Sequence, residues 1–190
     1  MPATKEEIAD TFWVLTERYG YRRTSISDIV DALHISKKTV YDFFPDKETL
    51  YGFALERWAR GQRDRVEGML TDTTARGRFE QAARIAFSHA REGFAGDGGA
   101  DASEPSEIVD RVNTQVFGPL IRDLIEEGNA AGEFHVTRPD LAAALCVAIG
   151  TEAVRRMRHV PGDSPEEYAI RAMLRVLDED CEGRGTGGRP

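Results

Sequence analysis

From Ile8 to Leu177 apolar side chains recur every three or four residues, and only glycine, proline and short polar clusters interrupt them. This spacing gathers them into a stripe along one side of an α-helix, and no stretch reads convincingly as the two-residue alternation of a half-buried strand. An all-α fold is therefore expected. The 190 residues suit one domain, or a small module joined to a larger one. With 41% hydrophobic and 31% charged residues the composition is that of a globular protein, which excludes collagen-like, disulfide-rich and generally disordered classes. The longest unbroken apolar run, Leu141 to Ile149, falls far short of the ~20 residues a bilayer needs, so it must be buried within protein. Residues Met1 to Glu7 lack the basic start and apolar stretch of a secretory signal, and a cytoplasmic location with no membrane partner is expected.

Local signals divide the pattern into helices. Thr4-Lys5-Glu6-Glu7 caps a first helix over 4–19 with Ile8, Phe12, Val14, Leu15 and Tyr19 on its apolar side, and Gly20 stops it. Thr24 or Ser25 starts a short second helix carrying Ile26, Ile29, Val30 and Leu33; His34 takes the turn. Ser36 caps a third to Phe44, in which Val40 and Phe44 face inward with Ile35. Pro45-Asp46 opens a fourth over about 47–70, with Leu50, Phe53, Ala54, Trp58 and Met69 turned inward. Further helices are expected at about 76–94, 104–113, 115–131, 138–159 and 164–180. Gly96 to Ser103 reads as a mobile loop, Ala131 to Val136 as a turn, Pro161-Gly162 as a stop, and Glu182 to Pro190 as a disordered tail.

The first fifty residues carry the functional signal. Two short helices separated by a tight turn, braced by a third, make a helix-turn-helix candidate. A reading helix must anchor one side while offering small and cationic side chains to the major groove. The third helix meets this requirement, because Val40 and Phe44 can anchor it while Lys37, Lys38, Thr39, Tyr41 and Phe43 point outward. The chain has a formal charge of −8, yet between Arg18 and Tyr41 five basic residues face only Asp28 and Asp31, a local surplus of three positive charges. DNA binding depends on where the cations lie, so the acidic total does not argue against it.

These residues resemble a family. The segments Gly20-Tyr21-Arg22-Arg23-Thr24-Ser25-Ile26-Ser27-Asp28-Ile29 and Ile35-Ser36-Lys37-Lys38-Thr39-Val40-Tyr41-Asp42-Phe43-Phe44-Pro45-Asp46-Lys47-Glu48-Thr49-Leu50 look like the amino-terminal part of the tetracycline-repressor (TetR) family of transcriptional regulators. The resemblance covers residues 8–50, about a quarter of the chain. It implies an all-helical homodimer that binds double-stranded DNA at a near-palindromic operator and is released by a small molecule in its carboxy-terminal domain. It further implies that Thr24 and Ser25 hold a phosphate, that Ser27, Lys37, Lys38 and Thr39 lie at the groove beside Ser36, and that Tyr41 and Lys47 grip the backbone. The chain departs from the family where Leu33-His34-Ile35 replaces the usual Ala-Gly-Val, which requires a positive φ at His34, and where Lys38 replaces the usual glycine.

The expected domains are thus a DNA-binding unit over 1–50, a helical effector-binding and dimerisation unit over 51–181, and a tail over 182–190. The run Leu141–Ile149 is apolar all round its helix, and the last helix bears Ala169, Ile170, Ala172, Met173, Val176 and Leu177. These two helices are the expected homodimer interface, a four-helix bundle about a two-fold axis. Trp58, Phe79, Phe87, Phe94 and Phe117 read mainly as core, with some able to line a ligand cavity and with His89 and Arg84 as conceivable polar partners. His34, His89, His135 and His159 have no ligand spacing and Cys146 and Cys181 read as separate reduced thiols, so neither a metal nor any other cofactor is expected. No catalytic motif appears. The expected function is a sequence-specific regulator, a repressor before an activator. A helical ligand-binding protein or enzyme with a vestigial DNA-binding unit is the alternative, and a nonspecific architectural protein would need a far more basic chain.

Overall fold

The computed structural model describes residues 3–93, 104–159 and 164–178. The expected loop at 96–103, Phe94, the stop at Pro161-Gly162, Cys181 and the tail lie outside the described residues. Eight helices, and no strand among the described residues, follow in order: α1 (Lys5–Tyr19), α2 (Ile26–Leu33), α3 (Lys37–Phe43), α4 (Lys47–Gly68), α5 (Ala75–Gly93), α6 (Ser106–Ala131), α7 (Pro139–His159) and α8 (Glu166–Asp178).

The starts of the first four are written in side-chain caps. Thr4 and Glu7 form a reciprocal capping box on α1, Ser25 and Asp28 another on α2, and Ser36 and Asp46 cap α3 and α4 through the amides of Thr39 and Thr49. Ile8, Ala9 and Phe12 of α1 pack with Ile29, Val40, Phe44 and Leu50 into the amino-terminal core, which continues through Tyr51, Ala54, Leu55 and Ala59 of α4 to Val112 and Val116 of α6. Two side chains expected inside are not. Val14 is 61% exposed and Tyr19 46% exposed, because α1 turns Ile8, Ala9, Phe12 and Thr16 inward and leaves those two off that stripe. Met69 is also half exposed, since α4 ends at Gly68 and the Met69 amide returns to the Val66 carbonyl as a cap.

The second core joins α5 to α8 through Phe79, Phe87, Ile125, Phe134, Cys146, Ile170 and Met173. The two helices expected over 104–113 and 115–131 are one, α6. Its polar middle does not break it, because Thr114 turns its hydroxyl back to the Asp110 carbonyl (2.8 Å) and Asn113 donates across to the Thr151 hydroxyl (3.2 Å). At the other end Gly132, at φ 74°, lets the chain reverse. The Phe134 ring then lies on Gly128 so closely that a Cβ there would sit 2.1 Å from it. Asn129 brackets the amide and carbonyl of Val136 at 2.9 and 2.8 Å, fixing the direction in which α7 leaves.

Candidate nucleic-acid interface and inner cavity

The helix-turn-helix is built from short-range bonds. The Ser25 amide and hydroxyl both donate to Asp28 (2.6 and 2.8 Å), and these two bonds, the backbone one first, hold the Asp28 carboxyl below the usual carboxylate range. His34 closes α2 in the left-handed region at φ 53° and ψ 44°, as its place in the turn requires. Histidine tolerates this better than a β-branched residue would. Ser36 then starts α3, accepting from the Thr39 amide at 3.1 Å and sharing a 2.9 Å bond with the Thr39 hydroxyl. Beneath, Ile29 and Val40 are fully buried and Phe44 nearly so.

The outer face of α3 carries Lys37, Lys38, Tyr41 and Phe43, all exposed, with Thr39 half-buried between them. Lys37 makes no ion pair among the described residues. Lys38 pairs with Asp42 one turn on, at 2.9 Å. Ser27 is half-buried on α2. Lys47, at the start of α4, donates to the Tyr21 carbonyl and lies 4.1 Å from the centre of the Tyr21 ring, so it ties the α1–α2 loop to α4.

Thr24 departs from the expectation. It is 2% exposed and its hydroxyl donates to the Gly20 carbonyl at 2.9 Å, so it locks the turn after α1 and offers nothing to a phosphate. The Ser25 hydroxyl is likewise committed to Asp28, which leaves the first-turn amides of α2 as the donors at that end.

Behind this face lies a cavity of about 320 Å³, walled by α1 and α4 through α8, within the range of small-molecule sites. Trp58, Phe79, Phe87 and Phe117, which also sit in or against the hydrophobic cores, line it together with His89. Arg84 does not; it is paired with Glu167 on the surface, and that bond raises its pKa. Sequence reasoning missed Trp13, Thr16 and Gln62, which enter the wall from α1 and α4. Only the packing of α1 on α4 brings them there, and no local pattern announces it. Trp13 stacks on Trp58 with ring centres 5.0 Å apart and on Tyr51 at 6.4 Å. Cys146, also on the wall, is a neutral thiol, its pKa pushed up to about 12 by burial. Among the described residues no group of His, Cys, Asp and Glu is placed to hold a metal ion, and no helix is long and apolar enough to cross a membrane.

Among the described residues every regular element is a helix, with a helix-turn-helix at the amino-terminal end and a ligand-sized cavity behind it. Residues 8–52 match the family model described as bacterial regulatory proteins, tetR family. Among solved structures, RolR in complex with resorcinol is 20% identical with a TM-score of 0.77, over 97% of this chain and 95% of that one. The Thermus thermophilus repressor FadR in complex with lauroyl-CoA is 16% identical with a TM-score of 0.69, over 98% of each chain. The reduced form of E. coli NemR is 16% identical with a TM-score of 0.67, over 91% of this chain and 96% of that one. No curated protein matches the chain in sequence. The match to the family model is confined to the amino-terminal segment, and over the whole chain the likeness to these solved structures is one of fold.

Proposed function

We propose that the protein is a homodimeric, sequence-specific DNA-binding regulator of the cytoplasm, a repressor released from a near-palindromic operator by a small molecule bound in the cavity. One observation carries the reading: α3 anchors Val40 and the adjoining Phe44 completely while exposing Lys37, Lys38 and Tyr41 together. That division is what a helix needs to enter a major groove without loosening its own packing. Lys37 and Lys38 reach phosphate or guanine, Thr39 and Ser36 approach the bases, Ser27 and the first-turn amides of α2 meet the phosphate strand, and Tyr41 contacts the backbone through its hydroxyl. Lys47 acts from behind by holding the Tyr21 loop.

The dimer face is on α7 and α8. Leu141 and Leu145 are 49% and 45% exposed and Tyr168 is 73% exposed, apolar surface that a second copy would cover. Two reading helices related by this two-fold axis enter successive grooves about one helical turn apart. Because α4 belongs to the amino-terminal core at one end and to the cavity wall along its length, an occupant that favours one tilt of α4 changes the separation of the readers. A differential affinity of a few kcal/mol between the two states is enough for release. RolR with resorcinol and the Thermus FadR with lauroyl-CoA support a ligand-responsive reading.

Selecting bound fragments from random or genomic DNA with the purified protein tests the proposal. Recovery of a two-fold symmetric sequence is the expected result. Absence of any enriched sequence at low ionic strength would overturn it in favour of a ligand-binding protein with an idle helix-turn-helix.

A further inference from the structure

The side chains that stand furthest out on α3 form an ion pair, half of it acidic. Val40 is fully buried and marks the anchored side of that helix. At about 100° per residue, Lys37 and Phe43 stand about 60° round the helix from Val40, and Thr39 and Tyr41 about 100°. Lys38 and Asp42, two positions before and after Val40, stand about 160° from it, almost opposite the anchor. Their side chains are 84% and 57% exposed, and the Lys38 ammonium donates to both carboxylate oxygens of Asp42, at 3.2 and 2.9 Å.

The acid has two costs in that place. A carboxylate carried among phosphates weakens attraction to DNA. It does not serve the helix either, because Asp42 lies in the last turn of α3, where the backbone dipole favours a cation. A lysine four positions before an acid is, moreover, the weaker order of such a pair. An acceptor kept there against both costs points to a donor that it meets in the groove. The major groove offers two, N4 of cytosine and N6 of adenine. Beside N6 stands adenine N7, an acceptor that repels the second carboxylate oxygen, whereas beside N4 stands only a C–H group. The ammonium held by the carboxylate then meets the paired guanine, whose O6 and N7 both accept; over thymine it would find one acceptor next to a methyl group. Both halves of the pair thus fit C·G better than A·T.

We propose, resting on the reading of α3 as the helix that enters the major groove, that Asp42 is a specificity-determining residue. Its carboxylate accepts from N4 of one cytosine in each half-site, while Lys38, held by it, donates to the guanine opposite. The pair carries no net charge, so it supplies sequence preference rather than attraction to the backbone.

The test is selection from a random duplex library with the full-length protein and with its variants Asp42→Asn and Asp42→Ala. The unaltered protein is expected to select a two-fold symmetric site containing, in each half, a C·G pair that the variants treat differently. Asp42→Asn, whose amide donates to N7 and accepts from N6, selects adenine in the place of that cytosine, and Asp42→Ala takes any base there. Changing the C·G pair to A·T in the selected site weakens the unaltered protein by at least about tenfold and Asp42→Ala by less than about threefold. The remaining positions of the site stay the same in all three proteins, which is the check that α3 still folds and docks in the variants. Identical preferences in all three, or a change only where the unaltered protein selects no cytosine, overturn the inference and leave Asp42 as a counter-charge for Lys38. A symmetric site indifferent to both substitutions sinks this inference alone, whereas no enriched sequence from the unaltered protein sinks the regulator reading and this inference with it.

Discussion

In the first fifty residues the helix caps pair polar groups three positions apart, and in the rest of the chain several of the ties between helices join residues far apart in sequence. Thr4 meets Glu7, Ser25 meets Asp28, Ser36 meets Thr39 and Asp46 meets Thr49, each three positions apart. By contrast Asn113 reaches Thr151 across 38 positions, Arg84 reaches Glu167 across 83 and Arg76 reaches Asp178 across 102. Four residues of the cavity wall carry a buried polar atom with no partner among the described residues, two of them on α1 and one each on α4 and α5. Caps made within one turn fix each helix start from local sequence. Ties between distant residues form only once the helices that carry them have packed.

Five changes would break or sharpen this contrast, beginning with the largest effect. Leu145→Glu places a charge on the apolar face of α7 and should convert dimers to monomers in sedimentation, with operator binding lost; an intact dimer would move the interface elsewhere. Gly128→Ala drives a methyl into the Phe134 ring and should lower stability in chemical denaturation by about 1–3 kcal/mol, acting on the core shared by α5 to α8 first. Lys37→Ala should reduce the slope of log affinity against log salt by about one if it holds a phosphate, or relax base choice if it reads a guanine. An unchanged titration, in this variant and in Lys38→Ala alike, would contradict the docking of α3. Tyr41→Phe should cost operator binding about 1 kcal/mol, and a neutral result would assign the ring to packing alone. The smallest effect is expected of Asp42→Asn, which frees Lys38 from its 2.9 Å pair and should strengthen DNA binding less than tenfold at low salt.

The same contrast explains what could be read before any coordinates. Capping boxes, the left-handed His34 and the Val40–Phe44 spacing are short-range devices, so α1 to α4 and the outward set on α3 were legible in the chain. Even there Thr24 misled, because a threonine beside a helix start looks the same in sequence whether its hydroxyl faces a phosphate or the Gly20 carbonyl. The supposed break in α6 was misread for a similar reason, as Asn113 is satisfied by a partner on α7. The cavity was half visible. Aromatic residues at helical spacing suggested Trp58, Phe79 and Phe87, but Trp13, Thr16 and Gln62 acquire their place only when α1 settles on α4.

Helix α6 supplies Val112 and Val116 to the amino-terminal core and Ile125 to the other, so a single rod of 26 residues is shared by both. At 1.5 Å per residue it extends about 39 Å. The helix-turn-helix consequently borrows part of its foundation from Val112 and Val116, about seventy residues downstream of the end of α3. A fragment cut after α4 would leave Tyr51, Ala54 and Leu55 without that cover, and heat should melt the intact chain in one cooperative transition rather than two.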